Sequence, residues 1–339
     1  MWLNNVWYIL FVVIISGYLI LDGFDLGVGI LHLFLARSDE ERRITLNSIG
    51  PIWDGNEVWL VLGGGVLFAA FPLVYASLFS GFYGAMMLVL LFLILRTVAI
   101  EFRSKRPGQG WRKLWDFFFF LSSLCIALLL GVAFGNVIGG VPLDVQGNIQ
   151  TFIPNLLTPF ALLVGLTTVA MLAYHGAIYL ALKTDGDLLI RVKRNITPLM
   201  IVFFILNTIL IGVLLLLHQD ITARYLDQPW LAILPAAALA AVLVAWWMVR
   251  RERYFIAFVA SSLMIALLIL SSAAGLYPNL LISTINPDFN QTIFNAASEA
   301  NTLMVMLIIA LIGMPFVLLY TAGVYYIFRG KVKLGPSSY

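Results

Sequence analysis

Two aspartates three positions apart, Asp22 and Asp25 in the stretch LDGFDLGVG, stand inside a run that is otherwise apolar enough for a hydrocarbon core. Fourteen Leu, Ile, Phe or Val lie between Ile9 and Ile30. Each favours insertion by roughly 0.3–0.6 kcal/mol, whereas an Asp near a helix centre costs about 2.5–3.5 kcal/mol. The two contributions nearly cancel, so the segment needs neighbours, and its acids should face protein or water rather than lipid. On a helix the carboxyls lie about 4.5 Å apart along the axis on one face, and Asp25 sits about 18 Å from the end marked by Arg37. A carboxyl in that position either exchanges protons along a hydrated route or hydrogen-bonds within the fold and locks the packing. Gly23 and Gly27 add a small-xxx-small spacing that lets another helix approach closely.

A second cluster, PIWDGNEVW at residues 51–59, brings Asp54, Asn56 and Glu57 together with Trp53 and Trp59. Asp54 followed by Glu57 matches a capping box, and the tryptophans suit a membrane boundary. The alternative is a polar mouth at the start of a helix. Third is LRTVAIEFRSK at residues 95–105, with Arg96 inside an apolar run and Glu101 five residues beyond it. Arg96 either snorkels to the interface or pairs with Asp54 or Glu101 in a charged pocket.

The elements that must position these groups are membrane helices. Of 339 residues, 62% are hydrophobic and 11% charged, and the mean hydropathy is +0.98, far from the composition of a water-soluble domain. Apolar stretches long enough to cross a core of about 30 Å run at about 6–36, 55–75, 79–101, 113–138, 155–182, 196–218, 229–249, 254–277 and 302–328. The expected fold is an all-α integral membrane protein with nine transmembrane helices in a single domain, 1–339. Its expected layout is two four-helix bundles, 1–140 and 155–277, with a peripheral helix at 302–328.

Eighteen of the twenty cations follow alternate stretches; Arg224 lies on the other side and Arg96 inside a span. The positive-inside rule therefore puts the amino terminus outside and the carboxyl terminus in the cytoplasm. The first stretch lacks a basic flank and its apolar run is too long for a signal peptide, so it reads as a retained helix. The segment 277–301, with Pro278 and Pro287, reads as an ordered or partly helical loop over the outer face.

Several chemistries are disfavoured. A single cysteine, Cys125, gives no disulfide framework or Cys-rich metal site. Motifs for nucleotides, acyl-transfer nucleophiles or zinc are absent. Of the three histidines, His32 and His218 fall near span ends and only His175 sits deep, which speaks against a haem-binding core.

The runs GFDLGVG, DEERRITLNSIGPIWDGNEVWL, GGGVLFAAFPLVYASLFSGFYGAMML, LRTVAIEFRSK and WDFFFFLSSLCIALLLGVAFGNVIGGVP together resemble the amino-terminal half of subunit II of cytochrome bd-type quinol oxidases. Residues 20–142 carry the likeness; later spans add hydropathy and short pieces such as FVASSL and LLYTA. The resemblance implies a haem-free subunit of a respiratory complex that oxidises quinol and reduces dioxygen to water in the bacterial cytoplasmic membrane. It implies a pseudosymmetric heterodimer with subunit I, which carries two haems b and one haem d, and it leaves room for a small single-helix subunit and for a structural quinone or lipid. No nucleic-acid partner is implied, and no cofactor or metal is ligated by this chain.

Matched motif to motif, the resemblance assigns Asp25 as a proton relay with Asp22 beside it. Asp54 and Glu101 line a polar channel near the cytoplasmic face, with Trp59 at its wall and Arg96 biasing the charges. Trp53, Asn56 and Glu57 are supporting residues. On this reading a partner bundle and internal water cover the acids. A proton-coupled secondary transporter, or a scaffold subunit without conduction, would use the same features.

Overall fold

The structure, a computed structural model, describes residues 1–149 and 153–335. The first helix, α1 (Trp2–Leu35), runs without a break through the two aspartates. A capping box between Ser38 and Glu41 starts the amphipathic α2 (Asp39–Ile49), where the Ser38 hydroxyl accepts from the Glu41 N–H and the Glu41 carboxylate accepts from the Ser38 N–H. The chain then turns into α3 (Trp53–Ala70), α4 (Pro72–Gly81) and α5 (Tyr83–Phe102). It continues as α6 (Gln109–Gly139), the short α7 (Ile153–Leu156), α8 (Pro159–Lys183), α9 (Gly186–Leu217), α10 (Gln219–Asp227), α11 (Ile233–Arg250), α12 (Tyr254–Leu276) and α13 (Ala300–Ile327).

Eight of these are long and apolar enough to cross a membrane: α1, α5, α6, α8, α9, α11, α12 and α13. The stretch expected at 55–75 is divided instead. Phe71 leaves helical geometry, and Pro72, which has no N–H to offer the preceding turn, opens α4 as its first residue. The polar start of α3, with Asp54, Asn56 and Glu57, dilutes what remains of that stretch.

One apolar core runs from α1 through α6 and α8 to α9, α11 and α12, so helices from both halves of the sequence share it. One close seam in it is α1 against α8. A Cβ on Gly27 would stand 2.0 Å from the Leu172 carbonyl oxygen and 2.9 Å from Gly176 Cα, so both glycines are needed for the backbones to meet. At the other extreme α13 lies on the periphery, with Leu303 its one buried residue among those described.

The loop after α12, expected to be ordered or partly helical, forms a small antiparallel ladder, β1 (Asn279–Leu281) with β2 (Gln291–Thr292), with a 3₁₀ turn at Pro287–Phe289 between the strands. It is tied to the start of α1, where the Asn4 amide donates to the Ile293 carbonyl at 2.8 Å. Trp7 Nε1 donates to the Leu303 carbonyl at 2.9 Å, which fixes α13 to the same end.

Candidate functional site

The two acids of α1 are fully buried, and the helix turns them toward different neighbours. Asp22 faces α5. Its carboxylate accepts two hydrogen bonds from Arg96, Nη2 to Oδ1 at 2.6 Å and Nη1 to Oδ2 at 3.1 Å, and neither side chain is exposed. A planar guanidinium meeting a carboxylate through two parallel bonds is the strongest geometry such a pair has. This differs from the expectation for Arg96, which pairs with neither Asp54 nor Glu101. Its long side chain points into the bundle, where Asp22 supplies a buried counter-charge that a sequence cannot place.

Asp25 faces α3 and pairs with no cation among the described residues. Its Oδ2 accepts from Asn56 Nδ2 at 2.7 Å, and the same amide nitrogen reaches the Leu21 carbonyl at 3.3 Å. Asn56 Oδ1 in turn accepts from the Tyr325 hydroxyl of α13 at 2.8 Å. The other carboxyl oxygen, Asp25 Oδ1, is buried with no hydrogen-bond partner among the described residues. Tyr325 also lines a cavity of about 410 Å³ at the end of the molecule that carries the basic clusters, between the α2–α3 turn and the segment after α13. The cavity thus joins Asp25 through one hydroxyl and one amide. Both acids are covered by α3, α5 and α13 of the same chain, not by a partner bundle as the sequence suggested.

A separate polar knot holds the basic end together. Asp116, near the start of α6, is fully buried and accepts from His32 Nε2 at 2.8 Å, Arg42 Nη1 at 2.8 Å and Arg103 Nε at 2.5 Å. Arg103 and Arg112 then share Asp39, at 2.9 and 2.8 Å. Outside the spans, Glu41 gathers the N–H groups of Arg37 and Ser38 and the guanidinium of Arg191. Partial burial opposes its charge, yet these bonds hold its carboxyl below the usual range.

Residues 3–328 match the family model described as cytochrome bd terminal oxidase subunit II. The chain is 36% identical to the cytochrome bd-I ubiquinol oxidase subunit 2 of Escherichia coli K12, over 97% of this chain and 95% of that protein. It is 34% identical to the cytochrome bd ubiquinol oxidase subunit 2 of Bacillus subtilis 168, over 98% and 97%. The chain belongs to the cytochrome bd terminal oxidase subunit II family. In fold it is similar to a chain of the bd oxidase from Geobacillus thermodenitrificans, with a TM-score of 0.79 and 18% identity over 97% of this chain and 99% of that one. As a cytochrome bd subunit II it is a multi-pass bacterial membrane protein and part of a haem-containing respiratory quinol oxidase, in which subunit I is its partner.

The remaining anticipated residues of this subunit II do not all converge. Asp54 is exposed on the first turn of α3, and the position before that helix is Ile52, which makes no side-chain cap, so the expected Asp54–Glu57 capping box is not formed; Ser38 and Glu41 form one instead. Glu57 and Glu101 are half-buried, while Trp53 and Trp59 are buried. Trp59 closes on α1, where a Cβ at Gly17 would lie 2.6 Å from its ring. Sequence reasoning passed over Asp116 and Tyr325. Asp116 had a weaker signal: an acid in WDFFFF stands at the edge of an apolar run, where its cost is lower than that of Asp25 deep in the first span. Tyr325 had none, because its role rests on α13 docking beside α3.

Proposed function

We propose that this chain is the haem-free subunit of its oxidase, that it stabilises the haem-bearing subunit I, and that it offers protons a path from the cytoplasm toward the oxygen-reducing site. On this reading it crosses the membrane nine times, with α3 and α4 together forming one crossing, the amino terminus outside and the basic ends in the cytoplasm. The observation that carries it is the connection from the cavity through Tyr325 and Asn56 to Asp25, whose free oxygen Oδ1 is the atom able to take up a proton. An amide does not pass a proton by simple exchange, so Asn56 orients the carboxyl while water beside it carries the transfer. Asp54 and Glu101, at the same end, gather protons at the surface. Asp22 is committed to Arg96 and fixes the charge around the path.

The haem-free assignment is supported by the histidines. His175 directs Nδ1 to Ser261 Oγ at 2.8 Å and Nε2 to the Ile20 carbonyl at 3.0 Å. His32 is committed likewise to Thr45 and Asp116. Axial ligation by either would break a bond inside the chain, so these residues do not fit a haem. The complex as a whole takes electrons from quinol, and reducing dioxygen with cytoplasmic protons while quinol releases its own outside charges the membrane without a pump.

A scaffold without conduction is the second reading, favoured by the intrachain cover of both acids. Quinol-driven oxygen consumption by the assembled complex separates the two. Asp25→Asn is expected to lower it by about tenfold or more, with Asp25→Glu retaining most of the rate. Unchanged turnover in Asp25→Asn would establish the scaffold.

A further inference from the structure

The cavity at the basic end has a lining that proton uptake does not explain. Four cations, Lys183, Arg329, Lys331 and Lys333, line it together with Tyr325 and Ser48, and no carboxylate among the described residues does. Lys183 is only 9% exposed. Its ammonium donates to the Phe328 carbonyl at 2.6 Å, lies 5.8 Å from the centre of the Tyr179 ring and forms no ion pair among the described residues. Lys331 donates to the Ala181 carbonyl at 2.9 Å and to the Thr184 carbonyl, and Arg329 to the Tyr326 carbonyl at 2.9 Å. Asp185 is exposed and acts on Lys331 through its field.

Capping of helix ends accounts for part of this arrangement, since the carboxyl ends of α8 and α13 both point their last carbonyls here. Each such end carries about half a negative charge. Two of them offset about one of the four positive charges, which leaves a surplus of roughly three around a partly open cleft, with Lys183 in its wall and the exposed Arg329, Lys331 and Lys333 at its rim. Lys183, the buried member, has the Phe328 carbonyl and the Tyr179 ring beside its ammonium, and neither a carbonyl dipole nor a ring face neutralises it. Partial burial also pushes the Lys331 ammonium below its ordinary range, against the opposing field of Asp185.

We infer that this cavity binds a phosphate-bearing anion, held by Lys183 from the wall and by Arg329 and Lys333 from the segment after α13. Its volume, about 410 Å³, accommodates a phosphate group with room to spare. The chemistry is the same whether the phosphate is free in the cytoplasm or belongs to the headgroup of an anionic phospholipid. The site sits at the mouth of the path proposed for Asp25, but binding there does not depend on that path being used.

The test uses the assembled oxidase and the double variant R329Q/K333Q, whose altered side chains are exposed; K183M probes the buried wall. One arm titrates inorganic phosphate into delipidated complex by ³¹P NMR. The other weighs the intact complex by native mass spectrometry after reconstitution in phosphatidylglycerol or in phosphatidylcholine. Saturable phosphate binding weakened about tenfold in R329Q/K333Q, a loss typical of charge-assisted bonds, assigns a soluble anion. Retained phosphatidylglycerol that the same variant loses assigns a lipid. Wild-type and R329Q/K333Q complexes that behave alike in both arms would overturn the inference, and would leave the Asp25 reading to its own test.

Discussion

Asp22 and Asp25 share a helix and a residue type, yet their partners give them opposite roles. Asp22 and Arg96 form a buried pair in which each charge depends on the other. Removing one member strands its partner, at a cost of about 3–5 kcal/mol, whereas removing both leaves no uncompensated charge. Asp22→Asn and Arg96→Gln are each expected to lower the Tm of the assembled complex by more than the double variant D22N/R96Q does. Additive losses would show that the pair is not coupled. Asp25, bonded by an amide on one oxygen only, is free of that constraint. The sequence made the presence of both acids legible, because acid deep in an apolar run is costly. It did not reveal the division of roles. Three residues turn a helix by about 300°, so the two carboxyls diverge by some 60°, enough for Asp22 to meet α5 and Asp25 to meet α3.

Elements obey the same logic of what is local and what is not. The spans were legible from hydropathy, and Pro72 was there to be read as the start of a new helix; the apolar run around it hid the break. The α1–α8 seam was half legible: the spacing of Gly23 and Gly27 announced a close approach, but the partner, Gly176, lies far along the chain. Gly27→Val is expected to abolish assembly of the complex, as the new side chain would overlap the Leu172 carbonyl, while Gly212→Ala, where nothing lies within 4 Å, leaves the assembled yield unchanged. Comparing purified yields checks both; a normal yield for Gly27→Val would refute the seam.

The start of α2 supplies a pH dependence. Glu41 is held below its ordinary value of 4.5 in the folded state. Its stabilisation is therefore complete above 4.5 and is lost as the pH falls through the lower folded-state value. Glu41→Gln should remove that contribution at neutral pH and flatten the acid limb of a Tm-against-pH curve between pH 6 and the acid-unfolding range. An unchanged slope would mean that the cap is not formed.

At the scale of the whole molecule, the chain is a bundle whose central helix carries its acids inward while its basic ends gather on one side. The family likeness explains why such a subunit exists, and the internal geometry suggests what it contributes: a rigid intrachain frame around one carboxyl with an unoccupied oxygen, reached from a cavity at the basic face. The position of that cavity was not legible, since it forms only where the ends of α8 and α13 meet the α2–α3 turn. The most direct measurement is proton uptake during an oxygen pulse by fully reduced complex in oriented vesicles, read with a pH dye confined to the compartment facing the basic ends. The account predicts prompt uptake from that compartment, slowed about tenfold or more in Asp25→Asn and less in Tyr325→Phe. Equal uptake by wild type and Asp25→Asn, or uptake from the opposite compartment, would contradict it.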